Sequence, residues 1–86
     1  MNYSKFAENL KNSLASNKLT QQNLADFLGT TQATVSRWVQ GVNEPEYAVL
    51  IEICLYLNET PTTLLGFDLI PEEVITAYSK KASNTK

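Results

Sequence analysis

Three side chains near the middle of the chain are of types suited to recognition rather than reaction. Gln32, Ala33 and Arg37 bear an amide, a methyl group and a guanidinium. Presented together, such groups match base edges: glutamine can pair with adenine, arginine can grip guanine, and an alanine methyl can pack on the thymine methyl. Their spacing supports joint presentation. With Thr31 as a helix cap, Gln32 and Ala33 are the first two helical residues, and Arg37 follows Ala33 by four positions on the same outward face. From composition alone, an ordinary solvated surface is the favoured reading of the same residues.

Reactive chemistry is sparse by comparison. The chain contains no histidine and a single cysteine, Cys54. It has no Gly-rich phosphate loop and no acidic pair at helical spacing that reads as buried. No enzymatic activity, metal or cofactor is therefore expected. Cys54 falls on the apolar stripe of a predicted helix, as a small hydrophobe with no imidazole to activate it. Glu72 and Glu73 follow Pro71 as an acidic helix start.

The elements that must position the three side chains are helices. Tyr3, Phe6, Ala7, Leu10 and Leu14 recur at three- and four-residue steps and predict a first helix over residues 3–16. Ser16, Asn17 and Lys18 form a turn, and Leu19 sits before a capping Thr20. Asn23 stands where a capping box prefers Glu or Gln, so that box reads as incomplete. Leu24, Ala25 and Leu28 face inward from a second helix, 21–28, which Gly29 ends. A third helix, 32–40, buries Val35 with Trp38 and Val39 behind it, and Gly41 stops it. Trp38 reads as packing, because a helix on intact duplex meets no unstacked base. Pro45 is placed in the first turn of a fourth helix, 46–57, with Val49, Leu50, Ile53, Cys54 and Leu57 inward. Asn58 and Glu59 close it. Thr60 caps a short fifth helix that begins at Pro61, turns Leu64 and Leu65 inward and ends at Gly66. Beyond it, Val74, Ile75 and Tyr78 predict a short helix in the C-terminal extension, with Lys80 and Lys81 at its end and a disordered tail.

Eighty-six residues suit one small core. No apolar run approaches the ~20 residues of a membrane span, and the N-terminus lacks the apolar stretch of a signal peptide. A cytoplasmic protein is expected. The net charge of −2 is unevenly spread. Up to Asn43, Lys5, Lys11, Lys18 and Arg37 outnumber Glu8 and Asp26; beyond it, seven acids face only Lys80, Lys81 and Lys86. The basic surplus lies in the half that carries Gln32 and Arg37, where a local field outweighs the total.

The string from Thr20 to Gly41, TQxxLAxxLGxTxxTVSRWxxG, resembles the helix-turn-helix of the phage repressor and Cro family, often called the XRE family. The resemblance covers roughly residues 3–66 and reaches Pro45 and the leucine-rich helix after it. It implies an all-α, lambda repressor-like bundle of five helices, with residues 1–66 as the DNA-binding domain and 67–86 as an extension. It implies that Gln21 bonds a backbone phosphate and braces Gln32. Thr31, Thr34 and Gln40 match positions that touch phosphate or sugar, and Asn43 lies in a loop that approaches the backbone. Ser36 either faces the groove edge or bonds back to its own helix. Many members carry an Arg in helix 1 paired with a Glu near the end of helix 3. Here those positions are Leu14 and Val39, a joint replacement by apolar groups that leaves no charge unpaired.

The function expected from this resemblance is a sequence-specific transcriptional regulator of phage or prophage type. It would bind double-stranded DNA as a homodimer, with a third-helix copy in each of two major grooves about 34 Å apart. The segment Phe67–Tyr78, together with helix 5, is either the dimer surface or a fold-back on the core. A competing expectation is a protein-interaction module on the same fold, antitoxin-like or antirepressor-binding, with a regulatory protein as partner; the acidic second half favours it.

Overall fold

The computed structural model describes residues 5–66. Tyr3 and the expected helix after Phe67, with its surface up to Tyr78, lie outside these residues. The described chain is all helical: α1 (Phe6–Ser16), α2 (Gln21–Leu28), α3 (Gln32–Val39), α4 (Tyr47–Leu57) and α5 (Pro61–Leu65). The core draws on every helix. Phe6, Leu10 and Leu14 of α1 meet Leu24 and Ala25 of α2, Val35 and Trp38 of α3, Ile53, Cys54 and Leu57 of α4, and Leu64 of α5. The i, i+4 spacing of Phe6, Leu10 and Leu14 puts all three on the inward face of α1, with Glu8, Lys11 and Asn12 exposed on the other.

The helix ends are set by local chemistry. Thr20, Thr31 and Thr60 each accept, through the side chain, the backbone N–H three residues on. Each relieves one of the four unpaired donors of a helix start. The box at Thr20 is complete, contrary to expectation: Asn23 Oδ1 accepts the Thr20 N–H at 2.8 Å while Thr20 Oγ1 accepts the Asn23 N–H at 3.0 Å. The shorter amide reaches because the N-cap backbone is extended there, at φ −99° and ψ 165°.

Pro45 also differs from expectation. It precedes the N-cap residue Glu46, and α4 begins only at Tyr47. Helix α3 stops at Val39 with Gln40 as its C-cap. Asn58 closes α4 in the left-handed region at φ 55°, and Lys18 turns the chain between α1 and α2 at φ 57°.

α1 and α5 are fastened by polar contacts. The Lys5 N–H donates to Leu65 O at 2.9 Å. Asn9 Nδ2 donates to the carbonyls of Thr63 and Leu64, both at 3.1 Å. Gly66 lies so near that a Cβ added there would stand 2.8 Å from Lys5 Cβ, and its φ of +73° already favours glycine. Ser13 is buried on α1, donates to Glu59 Oε2 at 3.2 Å and accepts at its carbonyl from Asn17 Nδ2 at 2.7 Å. These interactions fix α1 and α5 as a frame against which α2 and α3 stand out.

Candidate nucleic-acid interface

α3 is one-sided. At about 100° per residue, Gln32, Ser36, Gln40, Ala33 and Arg37 fall within an arc of about 140°. Val35 and Trp38 occupy the opposite side and are buried, with Val39 half-buried beside them. Within the arc, Gln32, Ala33, Arg37 and Gln40 are exposed and Ser36 is half-buried. The structure thus brings the three base-matching side chains onto one outward surface. Among the described residues, Arg37 has no ion-pair partner, so its guanidinium is uncommitted.

The remaining expected residues lie within this arc (Ser36 and Gln40), at the start of α3 (Thr31 and Thr34), or on neighbouring elements. Thr31 is occupied as the cap of α3: it accepts the Thr34 N–H at 3.2 Å, and the two hydroxyls lie 3.0 Å apart. Both hydroxyls therefore stand at the mouth of the helix. Ser36 Oγ accepts from Gln40 Nε2 at 2.8 Å, which ties Gln40 along the helix surface. Ser36 bonds to a side chain, rather than back to the helix backbone. Asn43 is exposed in the loop after α3, and Gln21 is half-buried as the first residue of α2. Among the described residues, the side chains of Gln21 and Gln32 are not hydrogen-bonded to each other.

The backbone adds its own electrostatics. Neither α2 nor α3 carries an acid in its first turn. Apart from the Asn23 and Thr34 N–H groups taken by the caps, their first-turn N–H groups, with the positive end of each helix dipole, can meet an anion such as phosphate. Asp26 is the one anion on α2, and Gln22 Nε2 donates to its carboxylate at 2.7 Å. The Gln–Asp spacing of four residues was the signal for that contact. Lys11 was also missed as a candidate. It lines a cleft of about 160 Å³ with Gln21, Leu14, Leu19 and Val39, which places a cation beside the start of α2. Its polar position on the outer face of α1 was the only hint.

Leu14 is buried in this cleft, and Val39 is packed against the core. The two positions that would hold the family's ion pair are therefore joined by apolar packing. Cys54 is buried, and burial pushes its thiol pKa up, with the Glu59 charge adding to the shift. Among the described residues no group of His, Cys, Asp or Glu is arranged to hold a metal ion, and no helix is long and apolar enough to cross a membrane.

Comparison with known proteins agrees with this geometry. The helix-turn-helix family model matches residues 10–64. An uncharacterized HTH-type transcriptional regulator, YqaE of Bacillus subtilis (strain 168), is 39% identical over 79 residues, which cover 92% of this chain and 67% of that protein. The crystal structure of a transcriptional regulator from Listeria innocua shares the fold with a TM-score of 0.70 at 21% identity, over 94% of this chain and 92% of that one. The match from the centre of α1 to the end of α5, with the outward α3 surface, shows that the chain belongs to the XRE-type helix-turn-helix family of transcriptional regulators.

Proposed function

We propose that the chain is a sequence-specific DNA-binding repressor of phage or prophage type, acting in the cytoplasm as a homodimer on an inverted-repeat operator. Residues 1–66 form the reading unit and residues 67–86 the extension through which, with α5, two copies associate. α3 enters the major groove, where Gln32, Ala33 and Arg37 read base edges. Gln21, Thr31, Thr34, Gln40 and Asn43 hold phosphate or sugar together with the open N-termini of α2 and α3, and Ser36 lines the groove edge. The observation that carries this reading is the outward face of α3, where the Gln32 amide, Ala33 methyl and Arg37 guanidinium stand exposed together. Neutral donors and helix dipoles supply much of the backbone grip, so few counterions are released and the salt dependence is shallow.

Selection from random duplexes, followed by gel shifts on the selected site, tests the proposal. Arg37→Ala and Gln32→Ala should each weaken specific binding by about 1–3 kcal/mol, or roughly 5- to 150-fold, and relax preference at one base position. No loss in either variant would overturn it. The stretch from Val42 to Gly66 contains four glutamates and no Lys or Arg, which favours a second reading as an interaction module, antitoxin-like or antirepressor-binding. On that reading both variants would retain the binding properties of the parent.

A further inference from the structure

Ser36 and Gln40 lie in the middle of the outward face of α3. Counted from Gln32 at about 100° per residue, Ser36 falls at about 40°, Gln40 at about 80°, Ala33 at about 100° and Arg37 at about 140°. Ser36 is one turn after Gln32 and directly before Arg37, so it sits between the two long base-matching side chains. It is half-buried, while Gln40 beyond it is exposed.

The hydrogen bond between the pair has a direction. Gln40 Nε2 donates to Ser36 Oγ at 2.8 Å. A serine hydroxyl has one proton to give and two lone pairs to receive with. Within a helix that proton can turn back onto the carbonyl four residues earlier, here that of Gln32. Ser36 does not use it so: among the described residues its hydroxyl accepts from Gln40 and donates to nothing. Accepting that bond occupies the oxygen on the side of the next helical turn and strengthens the hydroxyl as a donor. The proton is what Ser36 has left to offer.

We propose that Gln40 is a positioning residue that makes Ser36 a donor in the major groove, so that Ser36 selects a base edge that accepts. The inference rests on the DNA-binding reading above and deepens it by giving Ser36 a base to read. N7 and O6 of guanine, N7 of adenine and O4 of thymine can take the proton, whereas the N4 amino group of cytosine is itself a donor and opposes it. The base position concerned adjoins those read by Gln32 and Arg37. Gln40 keeps its second amide N–H for phosphate or sugar.

The test is binding-site selection with the full chain and its variants. The parent should disfavour cytosine at one position where Ser36→Ala shows no preference, and Ser36→Ala should bind the parent's site about two- to twelvefold more weakly. Gln40→Met fills similar space without an amide; it should relax the same position, and adding it to Ser36→Ala should relax that position no further. Gln40→Glu is the decisive arm. A carboxylate only accepts, so it draws the Ser36 proton back along the helix and should turn the preference towards cytosine at that one position, beyond the uniform loss its charge causes. Unchanged base preference in Gln40→Met and Gln40→Glu, with only a uniform loss across sequences, would overturn the proposal and leave Gln40 as a backbone contact. A second readout needs no DNA. In the free protein, one Gln40 side-chain amide proton should move upfield in the magnetic resonance spectrum of Ser36→Ala, and an unmoved resonance would overturn the bond itself. Failure of the DNA reading looks different. No site selected by the parent, or a site indifferent to Arg37→Ala and Gln32→Ala, would remove that reading and the groove role of Ser36 with it. Selected bases that depend on Arg37 but on neither Ser36 nor Gln40 would remove only this inference.

Discussion

Leu14→Arg tests how α3 is held out from the frame. Leu14 is 4% exposed, and burial of a leucine contributes about 1.5–3 kcal/mol. An arginine stem could keep part of that contact by running along the cleft shared with Leu19, Gln21 and Val39. Its guanidinium would then lie beside Lys11 and against apolar Val39, with no carboxylate among the residues lining the cleft. An unpaired, partly desolvated cation adds a further cost, so the total should be about 2–4 kcal/mol. For a domain of this size each kcal/mol lowers Tm by about 4–8 °C, which predicts a fall of roughly 8–32 °C. The assay is urea and thermal unfolding followed through Trp38, the sole tryptophan, which is buried against the same core. Val39→Glu alone should also destabilise. The double variant should recover about 1–3 kcal/mol relative to the sum, as the two new charges pair across α1 and α3. A Leu14→Arg protein with equal or higher Tm, or a double variant showing simple additivity, would refute the packing described for these helices.

Two further outcomes follow from single residues. Gly29 and Gly66 have nearly the same φ, +72° and +73°, but a Cβ meets nothing within 4 Å at Gly29 and meets Lys5 at Gly66. Gly29→Ala should therefore cost about 1 kcal/mol for the left-handed backbone, while Gly66→Ala should cost visibly more in the same melts; equal losses would mean α1 and α5 do not approach closely. Cys54, with its thiol pKa raised by burial and by Glu59, should react with thiol reagents far more slowly in the folded chain than in urea. Because the folded thiol keeps its proton after the unfolded one has lost it, stability should fall as pH rises above the ordinary thiol value, and Cys54→Ala should abolish that part of the slope.

Local signals in the sequence carried most of the fold. Thr20, Thr31 and Thr60 cap helices because a hydroxyl needs only its own neighbours to reach a free N–H, and Gly29 and Gly66 end helices for an equally local reason. The outward arc of α3 followed from period alone, since Val35 and Trp38 had to face inward. What escaped the sequence depends on residues far apart in the chain. Asn9 reads as a polar residue on the outer face of α1 until α5 presents its carbonyls 54 and 55 positions later. Ser13 breaks the apolar stripe of α1 because its partner, Glu59, lies 46 positions away. The Asn23 and Pro45 readings failed for a smaller reason: side-chain reach and one or two residues of register at a helix start are set by backbone angles that composition does not encode.

The clasp of Lys5 and Asn9 onto the carbonyls of Leu65, Thr63 and Leu64 joins the two extremities of the described chain. Closing so long a loop carries a large entropic cost before any contact rewards it, whereas α2 and α3 need only a three-residue corner to meet. The expected order of assembly is therefore the corner that carries Gln32 and Arg37 before the α1–α5 seam, and low φ-values at Asn9 beside higher ones at Leu24 and Val35 would check it. On that expectation the α1–α5 seam is the first part of the described chain to open, and faster amide exchange at Lys5 than at Leu24 would show it.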